Sequence, residues 1–260
     1  MDFSFSSEQT LLQDSVERFI QNDYGFDQRQ KLTGSELGFS KEHWSHFAEL
    51  GWLGLPFAEE DGGFGGSAID TMIVMEAFGK GLVVEPYVST VLMAGSALAH
   101  AGTTAQKESQ LAAIIGGEAQ ASLAYIEPQA RFNLNHVVTR AVPDGSDWVI
   151  NGFKGVVLGA PSADLLIVSA RTDGDEQAEE GITLFVVPAN AEGVSRRNYP
   201  TIDGFRASEV TLSDVRVSAE SVLGEVGQGL ATLQYAIDQG ILGVGSEAVG
   251  AMEVLYKDTV

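Results

Sequence analysis

The apolar residues of this 260-residue chain change period twice, and that switch limits the fold more than any single motif does. Up to about residue 118 they recur at helical spacing. In SSEQTLLQDSVERFI, Ser6 is a predicted N-cap with Gln9 three residues on, and Leu12, Val16, Phe19 and Ile20 form one stripe. In SKEHWSHFAELG, Ser40 caps a second helix, Trp44, Phe47 and Ala48 share a face, and Gly51 stops it. SAIDTMIVMEAFGKG, STVLMAGSALAHAG and TTAQKESQLAAIIGG read as three more. Residues 55–67, LPFAEEDGGFGGS, form a glycine-rich loop between them.

From about Ala119 the period is that of strands. ASLAYI, HVVTRAV, DWVING, DLLIVSAR, ITLFVVP and EVTLSDV are short, β-branched and separated by turn signals. PDGSD (143–147) and Asn151-Gly152 are predicted hairpin turns. Their spacing leaves no room for crossover helices, so an antiparallel sheet is expected. DGDEQAEEG (173–181) reads as a solvated loop. From Gln228 the helical period returns and runs to the last residue without a stop signal. A long helix with a broad apolar face needs partners, so the native polypeptide is expected to continue past residue 260. The expected class is α+β multidomain. An all-α N-terminal domain (1–118) precedes an antiparallel β-barrel-like middle domain (119–226) and the start of a C-terminal helical bundle (227–260).

Composition excludes several functions. The formal net charge is −21, with a sequence pI near 4.3. Such a field repels nucleic acid and anionic membrane surfaces. There is no cysteine, so disulfides, thiolate metal sites and cysteine catalysis are ruled out. The opening MDFSFSSEQTLL has neither the basic nor the apolar region of a signal peptide. No apolar stretch is long and uniform enough to span a bilayer. The expectation is a cytoplasmic protein without nucleic-acid or membrane partners.

Five stretches carry a resemblance. FSFSSEQTLLQDSVERF, LGWLGLPFAEEDGGFGGS, IEPQA, WVINGFKGVVLGAPSADLLIVSART and SDVRVSAESVLGEVGQGL occur in the order found in the acyl-CoA dehydrogenase family. Together they span nearly the whole chain. EPQAR and the run VVLGAP are most similar to the small-subunit type of pimeloyl-CoA dehydrogenase. The resemblance implies an FAD-dependent α,β-dehydrogenation of an acyl-CoA thioester. A Glu carboxylate removes the α-proton while the β-hydride goes to the flavin. Hydrogen bonds to the thioester carbonyl make that proton removable. The implied partners are the acyl-CoA substrate, electron-transfer flavoprotein as acceptor, and a homo- or hetero-oligomer with a related subunit.

Carried over residue by residue, the family's flavin site is altered. The threonine of its Thr-Glu-Pro is Ile126 here, and the serine that contacts phosphate or substrate is Phe132, preceded by Arg131. The strand usually reading Trp-Ile-Thr against the isoalloxazine is Val156, Val157, Leu158. Main-chain groups of Tyr125, Ile126, Val157 and Leu158 could still bond flavin edges, and Arg131 could meet a pyrophosphate. The positions matching the family's alternative base and its arginine are Gly240 and Ile241. No catalytic residue is therefore assigned, and the base is expected beyond residue 260. Asp238 is the candidate substrate contact, beside the bland reading of a solvated helix position. Glu127 is read as structural, with Pro128 ending the strand.

Other features have bland readings. His43 and His46 lack the further ligands that a zinc site needs, so no metal is expected. GGFGG lacks a preceding strand and the dinucleotide spacing; the resemblance puts it at the acyl-chain entrance. Met72 and Met75 read as core, and no nucleophile elbow accompanies the Ser, His and Asp residues. Two other readings stand beside the dehydrogenase: a non-catalytic structural partner subunit that binds no FAD, motivated by Ile126, Phe132, Val156 and Leu158, and a flavin-dependent monooxygenase on the same fold.

Overall fold

The computed structural model describes residues 4–260. Helix α1 (Ser7–Asp23) starts as its sequence demands: the Ser6 hydroxyl accepts from the Gln9 N–H, and the Gln9 side chain accepts from the Ser6 N–H. A short α2 (Phe26–Thr33), which the apolar pattern does not announce, follows without a buried residue. Ser40 caps α3 (Lys41–Glu49), and Gly51, at φ 78°, ends it in the left-handed conformation that favours glycine. α4 (Ala68–Gly81) is capped by Ser67. The next helical stretch opens as a π-helix (Val88–Gly95) and continues as α5 (Ser96–Ala101). α6 (Thr104–Gln106), a second π-helical turn (Lys107–Leu111) and α7 (Ala112–Ile115) complete this part. Val16, Phe19, Trp44, Phe47, Trp52 and Phe78 are central to its core.

Among the described residues the sheet has eight strands: β1 (Ala121–Ala124), β2 (Arg140–Asp144), β3 (Asp147–Leu158), β4 (Leu165–Arg171), β5 (Ile182–Pro188), β6 (Val194–Pro200), β7 (Arg206–Ser218) and β8 (Val222–Leu223). Their order is β6-β7-β3-β2-β4-β5-β8, with β1 pairing β4 off that path. The α+β class is as expected, but two expectations for the sheet are corrected. It is open, because edge strands β6 and β8 do not pair, so it is not barrel-like. It is also mixed. β1 runs parallel to β4, with Ala121 opposite Leu165, and β2 meets β4 in parallel at Arg140 and Arg171. The β2–β3 hairpin lies between β1 and β4 in sequence, and that excursion replaces a crossover helix.

Two local readings also change. Asn151-Gly152 is not a turn but lies inside β3, where the register with β7 shifts. The Asn151 amide bonds Asp214 across that shift, and a Cβ on Gly152 would come within 2.3 Å of Thr139 Oγ1. The stretch HVVTRAV is strand only from Arg140, because the N–H groups of Val138 and Thr139 point to a side chain instead. The turn at Gly145, φ 67°, joins β2 to β3 as expected.

α8 (Gly229–Thr259) packs its small residues on the helical part. A Cβ on Gly250 would lie 1.9 Å from the Glu76 carbonyl oxygen, and one on Gly79 would lie 2.0 Å from that of Glu247. These glycines let α4 and α8 touch backbone to backbone. Among the described residues, no helix is long and apolar enough to cross a membrane.

Candidate functional site

β1 ends at Ala124, and the chain leaves the sheet through Tyr125, Ile126 and Glu127. Glu127 is 2% exposed. Its carboxylate accepts from Lys154 Nζ at 2.7 Å, Val138 N–H at 2.8 Å, Thr139 N–H at 3.1 Å and Gln129 Nε2 at 2.7 Å. Lys154 is itself buried and also donates to Ser169 Oγ at 3.0 Å. Burial pushes the Glu127 carboxyl up, but the Lys154 charge and the surrounding donors outweigh it and hold the group at about 2. Burial brings the Lys154 amine down to about 8 despite Glu127. A carboxylate so low and so fully bonded is a staple, not a general base at neutral pH.

The Gly155 N–H donates to the Ile126 carbonyl at 2.8 Å, which joins the β1 exit to β3. Between Lys154 and Val157 the β3–β7 register shifts, so Gly155 and Val156 have no cross-strand partner. Bulges of this kind gather beside functional sites. Val156 and Leu158 are partly exposed, Val157 is buried opposite Ser208, and the Ile126 N–H has no hydrogen-bond partner among the described residues.

A cavity of about 970 Å³ opens here. Tyr125, Ile126, Arg131 and Phe132 line it, together with Glu179, Glu180 and Leu230, Gln234, Ile237 and Ile241 of α8. Arg131 sits at φ 52° without a bonded partner among the described residues, and Phe132 is 97% exposed. The loop 173–181 is more than solvated. Buried Arg171 donates to the carbonyls of Glu176, Ala178 and Glu180, and to that of Asn135 on the cavity wall.

A second cavity, about 360 Å³, lies beside it. Leu158, Gly159, Val88 and Ser89 line one side, Val244, Glu247, Ala248 and Ala251 of α8 another, and Arg29, Phe39, Asp203 and Arg206 are also exposed to it. The candidate flavin residues thus divide. Tyr125, Ile126, Arg131 and Phe132 share the larger cavity, Leu158 opens onto the smaller, and Val156 and Val157 line neither. Asp238 is exposed outside both; it accepts from Gln234 Nε2 at 2.8 Å, and Gln234 is the residue that lines the larger cavity.

Gly240 is buried, and a Cβ there would lie 2.9 Å from Met93 Cγ, so its smallness serves the contact with the π-helix. Ile241 lines the larger cavity. Residues 55–67 line neither of these two cavities: their backbone closes on itself, and Phe64 covers Gly51 and Gly54. His43 Nδ1 lies 3.2 Å from Glu85, which also accepts from the Tyr24 hydroxyl. Glu247 escaped the sequence reading. Its one signal there is an acid alone in a run of small and apolar residues, GVGSEAVGAM.

The acyl-CoA dehydrogenase N-terminal domain matches residues 6–118, and the middle domain of the same enzymes matches residues 122–215. The probable acyl-CoA dehydrogenase YngJ of Bacillus subtilis is 30% identical over 256 residues, 96% of this chain and 67% of that protein. This chain belongs to the acyl-CoA dehydrogenase family. The structure of butyryl-CoA dehydrogenase from Megasphaera elsdenii superposes with a TM-score of 0.87 at 26% identity, covering 98% of this chain and 68% of that one. Subunit CarC of the caffeyl-CoA reductase-Etf complex of Acetobacterium woodii is 32% identical over 227 residues, 85% of this chain and 60% of that protein. The chain therefore spans about two thirds or less of the length of these relatives.

Acyl-CoA dehydrogenases are flavoprotein oxidoreductases, and the residues present fit a flavin by main chain alone. The open Ile126 N–H and the unpaired bulge at Gly155–Val156 adjoin through one hydrogen bond. The side chains of Ile126, Phe132, Val156 and Leu158 offer no hydrogen bond of their own.

Proposed function

We propose that this chain is a flavoprotein subunit that oxidises an acyl-CoA thioester at its α,β-bond with FAD. The observation that carries the reading is the Gly155–Ile126 hydrogen bond, which sets an open main-chain donor and a sheet bulge beside a cavity with an unpaired arginine at its wall. Ile126, Val157 and Leu158 would hold the flavin by main-chain groups, and Arg131 would meet a phosphate of cofactor or substrate. Bound flavin supplies the hydride acceptor. The chain's own part is to bind, orient and exclude water. Its α-proton acceptor is not Glu127, which Lys154 and three other donors occupy, nor Gly240 or Ile241. No described residue is assigned as the base. Asp238 would act on the substrate through Gln234.

The division into 1–118, 119–226 and 227–260 belongs to this reading, as do a cytoplasmic location, oligomers with a related subunit, and electron-transfer flavoprotein as acceptor. The last is supported by the name of CarC. A second reading, a structural partner without FAD, is favoured by the apolar side chains at Ile126, Phe132, Val156 and Leu158. The visible absorption spectrum of the full-length protein separates the two. Flavin bands in the protein purified alone support the dehydrogenase subunit. Bands only with the related subunit make this chain the supporting half of a composite site, and bands in neither support the structural partner.

A further inference from the structure

The two cavities follow one face of α8. Gln234, Ile237 and Ile241 border the larger, and Val244, Ala248 and Ala251 border the smaller. These positions alternate in steps of three and four, so they form a single stripe. Ile241 and Val244 are one turn apart, which puts the cavities end to end. The stripe from Leu230 to Ala251 is about 30 Å long at the helical rise per residue.

The walls of the smaller cavity are mostly apolar, from Leu37, Phe39, Leu82, Val84, Val244 and Phe205. Its charged groups are Arg29 on α2, Asp203 and Arg206 at the β6–β7 turn, and Glu247 on α8. Both guanidinium groups are turned to the backbone. Arg29 donates to the carbonyls of Leu82 at 2.7 Å and Asp203 at 2.6 Å. Arg206 donates to those of Thr33, Ser35, Gly204 and Phe205. The Glu247 side chain makes no hydrogen bond or ion pair among the described residues. Burial pushes its carboxyl up to about 7, and Asp203 adds to that push against Arg29. An open acceptor in an apolar cavity is a place for a donor, since a polar group left unpaired there is costly.

We propose that Glu247 is a specificity-determining residue: the smaller cavity receives the far end of the acyl group and selects one carrying a hydrogen-bond donor, a hydroxyl or a protonated amine, over one ending in a carboxylate. The inference rests on the proposed function in one respect, that the thioester occupies the larger cavity. A carboxylate end brings no donor to the open Glu247 oxygens and adds a like charge beside Glu247 and Asp203; Arg29 and Arg206 keep their charges and offset part of this, but most of their donors are already held by carbonyls. An ammonium end pairs with ionised Glu247, so its binding strengthens as pH rises through about 7. A hydroxyl end follows pH less.

The test uses isothermal titration of the full-length protein with two matched series. One is non-reactive thioether analogues of ω-amino-, ω-hydroxy- and ω-carboxyacyl-CoA. The other is free 1-aminoalkanes, 1-alkanols and alkanoates. In both, the donor-ended ligands are expected to bind about tenfold tighter than the carboxylates. Glu247→Ala removes that preference, and Glu247→Gln keeps it for the hydroxyl but loses it for the amine. Circular dichroism and the melting midpoint of both variants check that they fold, as expected for a partly exposed residue. The proposal is overturned by tighter binding of the carboxylates, by a ranking that survives Glu247→Ala, or by no binding in either series. Free ligands that bind in the expected order while no thioether binds uphold the selectivity of the cavity and sink the placement of the thioester.

Discussion

At the scale of single residues, Glu127 and Lys154 form the structural pair that the sequence reading expected of the Glu-Pro step, not an acid free for chemistry. A Glu beside a Pro at a strand end has the look of a functional acid, yet its oxygens are filled by Lys154, Gln129 and two backbone N–H groups. Lys154→Met would leave that carboxylate buried without its cation. We expect a loss of about 3–5 kcal/mol in urea unfolding, with most of it recovered in the double variant Glu127→Gln/Lys154→Met. The same pair sets an acid limit. Glu127 falls from an ordinary 4.5 to about 2 on folding, so its contribution is fully present above 4.5 and is lost as pH drops toward 2. The size is on the order of 3 kcal/mol. Stability curves between pH 5 and 2 should fall less steeply for Glu127→Gln than for wild type; parallel curves would refute the assignment.

At the scale of elements, α8 and its glycines decide how the helical part closes. A methyl at Gly250 meets the Glu76 carbonyl, a backbone atom that cannot swing away. Gly250→Ala should cost about 1–3 kcal/mol by forcing α4 and α8 apart. Gly245 is the control, because nothing lies within 4 Å of a Cβ there. Gly245→Ala should stabilise by up to about 1 kcal/mol, as alanine is the better helix former. Thermal melts of the two variants should shift in opposite directions. Loss of the α4 cap in Ser67→Ala should cost about 1 kcal/mol. The start of α4 follows from its apolar period in the sequence, and the glycine contacts do not. The β1–β4 pairing does not, because its partners are far apart and their order depends on the β2–β3 hairpin folding between them.

At the scale of the whole molecule, charge and one arginine matter most. A net charge of −21 destabilises a compact state through self-repulsion. Raising ionic strength from about 0.01 M to about 0.15 M shortens the Debye length from about 30 Å to about 8 Å and should raise the melting midpoint. A midpoint unchanged by salt would mean that local pairs already balance the field. Arg171 gathers four carbonyls from the acidic loop and the cavity wall. In Arg171→Met, amide exchange should speed up through residues 173–181 and at Val137, whose N–H bonds Glu176, while β7 stays protected.

The sequence by itself determined what depends on neighbours in the chain: the helical and strand periods, the caps at Ser6 and Ser40, the turn at Gly145, and the family motifs. Each rests on contacts within a few residues. Tertiary structure alone decided that the sheet stays open and mixed, that Asn151-Gly152 lies within a strand, and that the candidate flavin positions divide between two cavities. It also decided that Glu247 shares one of those cavities with Leu158 and Arg29. Those outcomes depend on which distant segments α8 and β3 bring together, and side-chain burial is set by that packing rather than by residue type.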